Sequence, residues 1–428
     1  MAFAEAPIAS PPPLSRARLR ECPDCGLLQV LPPMPPAARA LCVRCDGVLR
    51  HTHRDPFGAP LAFSLTALVL LTIGATMGLM TVSRAGQYRT ASVFTGPWLL
   101  ESYGRWELAT IVLAVTFAAP LARLVATTIV LLAADRGIRS PAFRLLFTWV
   151  ERVQPWSMVE VYMLGVFVAY VRLGSLVHIE IGPALYALGG LILAMVAADA
   201  TLDPEAVWDA IGRPIAGAVR ADRGPRGTPL RRFGCDTCGF VVRAVPGAHC
   251  PRCGFVLRPR KHDSMTRTWA LGITALILYI PANLFPVLTV IELGRGYPST
   301  ILGGVRDLID VGEWPLAALV FFASIVVPVL KIAGLAILMI GIHMRAERRR
   351  RDRTRLYRII DRIGRWSMID VFMLSLLVAL LQFGAIVAVH PGIGAVAFVA
   401  VVILTILAAR TFDPRLIWDA AGLNEAAS

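Results

Sequence analysis

The chain has 428 residues, 56% of them hydrophobic, with a mean hydropathy of +0.64 and a formal net charge of +14. Apolar content this high, gathered in stretches long enough to cross a bilayer, excludes a soluble globular protein and implies a polytopic membrane protein. The basic excess alone would suit a nucleic-acid binder, but its placement beside apolar spans assigns it to membrane orientation and argues for no nucleic acid partner.

The first twenty residues, MAFAEAPIASPPPLSRARLR, contain no apolar core, so no cleaved signal peptide is expected and the N-terminus should stay in the cytoplasm. Residues 1–60 form the first cysteine module, in which CPDC and CVRC place Cys22, Cys25, Cys42 and Cys45 as two CxxC pairs. That is the two-knuckle arrangement of a zinc ribbon, whose four thiolates reach one tetrahedral ion and fold a piece too small to have its own core. Four spans follow within residues 61–203, at roughly 61–82, 107–134, 156–177 and 181–202. Tight hairpins are expected around His178 and around His390–Gly392, where the outward turns are shortest.

Residues 204–266 carry the second cysteine module, with Cys235, Cys238, Cys250 and Cys253. All eight cysteines of the chain thus fall in such pairs, so one zinc per module, two per chain, is the leading expectation. A rubredoxin-like iron site and redox-active thiols are the alternatives, while a reducing cytosol disfavours disulfides. The second membrane module, residues 267–414, repeats the four spans at roughly 267–293, 313–343, 366–389 and 392–412, before a cytoplasmic tail of 415–428.

The two halves are copies. WSMVEVYMLG at 156–165 and WSMIDVFMLS at 366–375 stand 210 residues apart, as do TLDPEAVWDA at 201–210 and TFDPRLIWDA at 411–420. The fold class expected is an all-α polytopic membrane protein of two tandem four-helix transmembrane modules, each preceded by a small cytoplasmic zinc ribbon. Basic residues orient it: 35 Lys and Arg lie in the segments on the ribbon side against 6 in the opposite loops, which puts both termini in the cytoplasm.

Ionisable groups inside spans are costly and therefore candidates for function. The second half offers Lys331 and Asp370, with Ser324, Ser367 and Thr405 adding hydroxyls and Asn283 an amide, as an intramembrane polar pocket. Arg123, Glu160 and Thr116 are the weaker first-half equivalents. A lysine opposite an aspartate can carry a proton, or can be an interhelical salt bridge that only holds the bundle. Pro120 and Pro328 each remove an amide hydrogen bond to the carbonyl four residues earlier, that of Thr116 or Ser324, so kinks are expected there. Pro281 and Pro286 flank Asn283 and should unwind the fifth span locally.

Duplicated CxxC modules each followed by four spans, PANLFP at 281–286, WSMIDVFMLS and TFDPRLIWDA together resemble the paraquat-inducible protein A family of bacterial inner-membrane proteins over nearly the whole chain. The resemblance implies a role in lipid traffic across the Gram-negative envelope, loading or unloading phospholipid at a periplasm-spanning tunnel built from mammalian-cell-entry domains. The first span has IGATMG where the second half has PANLFP, a departure from the family pattern. The sequence holds no Walker A, catalytic triad or HExxH, so no enzyme is expected, and energy would come from an ion gradient, a partner or the lipid gradient. The alternative is a non-transporting scaffold or stress sensor whose cysteine modules recruit a cytosolic protein.

Overall fold

Hairpins closed by CxxC turns come first among the described residues. The computed structural model describes residues 18–84, 87–174, 178–213, 230–292, 295–345, 349–381 and 387–420. Strands β1 (Arg18–Glu21) and β2 (Leu28–Leu31) pair antiparallel, as do β3 (Arg39–Leu41) and β4 (Val48–His51), so each pair of cysteines sits on one hairpin end.

The first half continues with α1 (Gly58–Thr76), β5 (Met80–Arg84), β6 (Gln87–Ala91) and α2 (Thr95–Ser102). Next, α3 (Trp106–Leu113), a π-helical turn at Ala114–Ala118 and α4 (Ala119–Asp135) run as one helix of 30 residues. Then come α5 (Pro141–Val153), α6 (Val159–Gly174), β7 (His178–Ile181), α7 (Pro183–Thr201) and α8 (Pro204–Ile211).

The second half repeats this order. Strands β8 (Arg231–Gly234) and β9 (Val241–Ala244) form one hairpin of its cysteine module, and an isolated His249–Val256 bridge marks the other. The membrane part comprises α9 (Ser264–Leu284), β10 (Leu288–Glu292), β11 (Arg295–Ser299) and α10 (Ile301–Asp310). A second continuous helix joins α11 (Trp314–Phe321) through a π turn at Phe322–Val326 to α12 (Val327–His343). After it stand α13 (Arg350–Ile363), a 3₁₀ turn at Gly364–Met368, α14 (Ile369–Leu380), β12 (Val387–Pro391), α15 (Ile393–Thr411) and α16 (Leu416–Asp419).

The all-α expectation needs correction. Strands β6-β5-β7 form one three-stranded antiparallel sheet and β11-β10-β12 another, at the end of the molecule away from the cysteine modules. The expected tight turns at His178 and His390 are therefore strands that return to pair with the first outward hairpin. Alternation explains them: Met80 and Val82 are fully buried while Thr81 and Ser83 are not, a period of two that suits a half-buried strand.

Among the described residues, five helices are long and apolar enough to cross a membrane: α1, α3–α4, α7, α11–α12 and α15. The expected spans at 156–177 and 366–389 are shorter, with 16 residues in α6 and 12 in α14. Every residue of α14 except Asp370 is buried, which requires protein on all its sides. Helix α9 runs unbroken through Pro281 and ends at Leu284, just ahead of Pro286, so the local unwinding expected at Asn283 is absent. Loss of one amide at Pro281 is tolerated within an otherwise bonded helix.

The halves interlock. Helices α6 and α14 pack on each other, and Tyr162 meets Phe372, its own repeat equivalent, edge to face at 5.6 Å. Contact between equivalent residues places this pair on the pseudo-two-fold axis of the duplication. Gly165 permits the approach, because a Cβ there would lie 2.9 Å from the Phe372 Cβ. The cysteine modules also cross over. The first packs on Leu338, Met339, Tyr357, Phe412 and Trp418 of the second half, and the second packs on Val130, Phe147, Trp208 and Ile211 of the first.

Candidate metal centres and intramembrane polar site

Each CxxC closes a knuckle of the same design. The amides of Gly26, Asp46, Gly239 and Gly254 donate to the carbonyls of Cys22, Cys42, Cys235 and Cys250 at 2.8–2.9 Å. All four of these residues take positive φ, between 59° and 84°, a conformation that glycine adopts freely and aspartate tolerates. The knuckles bring together Cys22, Cys25, Cys42 and Cys45 in one cluster and Cys235, Cys238, Cys250 and Cys253 in another, all buried. The closest sulfur pairs lie 3.5–3.7 Å apart. Thiolates about 2.3 Å from a tetrahedral ion would stand about 3.8 Å from one another, so donors and spacing both fit a single metal per cluster.

Neighbours stabilise the negative charge that four thiolates would carry. Gln29 Nε2 donates to Cys42 Sγ at 3.0 Å, and Arg358 Nη2 donates to the Cys45 carbonyl at 3.0 Å and to its Sγ at 3.3 Å. Arg358 belongs to α13, and it also pairs with Asp24 between the first two cysteines. The first cysteine cluster is thus tied to the second half by charge as well as by packing.

A polar knot joins both modules to the chain's end. Glu21 accepts from the Gly234 amide and pairs with Arg260 and Arg415, both at 3.3 Å. Arg415 further binds Asp413 at 3.0 Å and Asp236 at 2.8 Å. Burial raises the Glu21 carboxyl above the ordinary carboxylate range, with the Gly234 amide and the arginines opposing. Burial works against the Arg415 charge too, but Asp413 and Asp236 more than offset it and its pKa is raised. The equivalent first-half aspartate, Asp203, caps α8 by accepting from the amides of Glu205 and Ala206 at 3.0 and 3.2 Å. Arg20 and Arg50 of the first module bind Glu205 at 2.8 and 2.9 Å. On α5, burial raises Glu151 to about 7 despite a hydrogen bond from Trp208.

Within the bundle, the structure divides the expected pocket. Lys331 is 1% exposed, and its Nζ donates to the Gly364 carbonyl at 3.2 Å and to Thr405 Oγ1 at 2.9 Å. It lines a cavity of about 120 Å³ with Asp361, Arg410 and Gln154, on the side of the cysteine modules. Asp370 lines a different, smaller cavity of about 40 Å³ with Ser299, Thr300 and Phe398, toward the outward sheet. So Lys331 meets Thr405, while the expected Lys331–Asp370 pairing in one cavity is not what the geometry gives. A short α14 is the reason, since it begins deep in the bundle and carries Asp370 away from Gly364.

The remaining candidates have separate roles. Ser324 Oγ donates to the Val320 carbonyl at 2.6 Å and Thr116 Oγ1 to the Val112 carbonyl at 2.7 Å, each inside the π turn that precedes Pro328 or Pro120. The kinks are therefore π bulges, the register change absorbing the proline. Asn283 Nδ2 returns to the Tyr279 carbonyl at 2.9 Å, within its own helix. Ser367 is 1% exposed, and Glu160, the repeat equivalent of Asp370, is exposed. Arg123 pairs with Asp199 of α7. Sequence reasoning missed Asp199 and Asp361; the first is an acid inside a span, the second hides in the basic run of α13.

Against known proteins, a family model described as Paraquat-inducible protein A matches residues 58–212 and 265–422, one match per membrane half. The chain is 32% identical over 402 residues to the intermembrane transport protein PqiA of Escherichia coli (strain K12), covering 93% of this chain and 95% of that one. It is 30% identical over 407 residues to lipophilic envelope-spanning tunnel protein A of the same organism, covering 95% and 92%. A probable intermembrane transport protein of Haemophilus influenzae is 26% identical over 412 residues, covering 95% and 96%. Two of these relatives are named for intermembrane transport and one for an envelope-spanning tunnel, and none of the three for an enzymatic activity. No solved structure matches.

Proposed function

Because the chain belongs to the paraquat-inducible protein A family, we propose that it is the inner-membrane component of an envelope lipid-transport system. It passes phospholipid between the inner membrane and a periplasm-spanning partner with mammalian-cell-entry domains. The observation that carries this reading is similarity along more than nine-tenths of the chain to proteins named for intermembrane transport and for an envelope-spanning tunnel.

In this reading the termini and both cysteine modules face the cytoplasm, and the two three-stranded sheets face the periplasm. Each module holds one zinc, whose four thiolates leave no open coordination position, so the metal folds the module and performs no chemistry on lipid. Lys331, Thr405 and Gly364 form the polar seat at the cytoplasmic side of the second half, and Asp370 a second polar point nearer the periplasm. An ammonium buried this deeply is kept because it acts in transport, since packing alone is better served by an apolar side chain.

Photocrosslinkers at Tyr88 and Tyr297, both exposed on the sheets, test the assignment in cells. Capture of a mammalian-cell-entry protein is expected. Capture through the cysteine modules alone would instead support the scaffold or sensor reading.

A further inference from the structure

A further cavity lies outside the polar site. It measures about 620 Å³ and occupies the angle between α10 and α11, lined by Leu302, Arg306, Ile309, Trp314, Ala318 and Phe321. That volume is in the range of small-molecule sites, and its walls are apolar apart from the arginine and the helix-capping Thr300. Among the described residues Arg306 makes no ion pair, although Asp307 and Asp310 stand on the same helix. The cavity sits at the start of the 30-residue helix Trp314–His343, whose other end carries the first cysteine module, so it is at the end near the outward sheet. An exposed tryptophan there, Trp314, suits the level of lipid headgroups.

We propose that this groove seats one phospholipid, with an acyl chain against Ile309, Ala318 and Phe321 and the phosphate on Arg306. The occupant follows from charge complementarity: an unpaired cation at the mouth of an apolar cavity matches an anionic headgroup above a hydrocarbon tail. The first half is built otherwise. Its turn residue Gly104 and helix-starting Trp106 align with Gly312 and Trp314, which sets Trp98 at the place of Arg306, so the cation belongs to the second half alone.

A thin wall separates this groove from the inner acid. Thr300 lines both the 620 Å³ cavity and the small cavity that holds Asp370, with Gly303 on the first side and Gly304 on the second. The groove is thus a waiting position next to the interior polar point. This inference rests on the transport reading for its direction of traffic, but occupancy of the groove does not.

The test uses the full chain in nanodiscs with a phosphatidylglycerol carrying a diazirine in one acyl chain, and maps the labelled peptides. Labelling should concentrate in residues 300–321, fall about tenfold in Arg306→Glu, as loss of one charge-assisted contact implies, and fall likewise in Ala318→Trp, which fills the groove. Excess unlabelled phosphatidylglycerol should compete and diacylglycerol should not. Labelling spread over all lipid-facing helices, or unchanged in Arg306→Glu with folded protein at wild-type level, would overturn the groove and leave the transport assignment standing. Groove labelling with no lipid passed to a periplasmic acceptor would support the groove and sink the transport assignment.

Discussion

At the residue scale, two side chains lead to measurable consequences. Burial raises Glu151 to about 7, so the folded chain holds a proton that the unfolded chain releases near its ordinary value of 4.5. Its contribution is full below the unfolded pKa and lost as pH rises through 7, a difference on the order of 3 kcal/mol. Glu151→Gln should therefore raise the melting temperature at pH 8 and flatten its dependence between pH 5 and 8; an unchanged profile would show that Glu151 is solvated. Lys331 and Asp370 line separate cavities, so a cycle of Lys331→Met and Asp370→Asn should add in thermal stability to within about 0.5 kcal/mol. A larger coupling would restore the single-pocket arrangement. The sequence singles out both residues as ionisable groups of one half, because a charge inside an apolar run is conspicuous; the structure buries Lys331 and leaves Asp370 half-buried. The sequence did not reveal the surroundings of Lys331, since Gly364 binds through its carbonyl and Asp361 is a lone acid between Arg358 and Arg362 of a basic helix.

At the scale of elements, the exchange of cysteine modules between halves is the feature that governs stability. Burial of side chains such as Leu338 and Phe412, each about 1.5–3 kcal/mol, depends on a folded cysteine module, and a metal on its four thiolates would supply that folding. Cys22→Ser should accordingly raise amide exchange in α13 and α16, and Cys235→Ser in α5 and α8. Exchange rising more in the mutated module's own half than in the opposite half would contradict the crossover. Packing on the pseudo-two-fold axis yields a second expectation. Gly165→Val would press on Phe372 and should cost about 1–3 kcal/mol, read as a lower melting temperature with metal content unchanged. Cysteine spacing was enough to identify the four knuckles, because a metal tetrahedron demands local geometry. The crossover was not legible, since which module covers which bundle is decided by tertiary packing of Trp208 or Trp418, residues that the two halves share at the same repeat position. The outward sheets were missed for a related reason: strands such as Met80–Arg84 are short and adjoin apolar helices, so their alternation merges into the span.

For the whole molecule, duplication followed by divergence organises the account. One half keeps Arg123 neutralised by Asp199, while the other sets Lys331 against a carbonyl and a hydroxyl and offers Arg306 where the first has Trp98. The first half thus closes its charge within the bundle, and the second presents Lys331 and Arg306 at two depths, neither in an ion pair among the described residues. In the proposed transport, lipid moves through this second half. The most direct measurement is transfer of a fluorescent phospholipid from proteoliposomes to the soluble mammalian-cell-entry region of the partner. The account predicts partner loading only when the chain is present, and a strong loss of rate in Lys331→Met at unchanged metal content and folded yield. Loading equal to that from protein-free vesicles would contradict it.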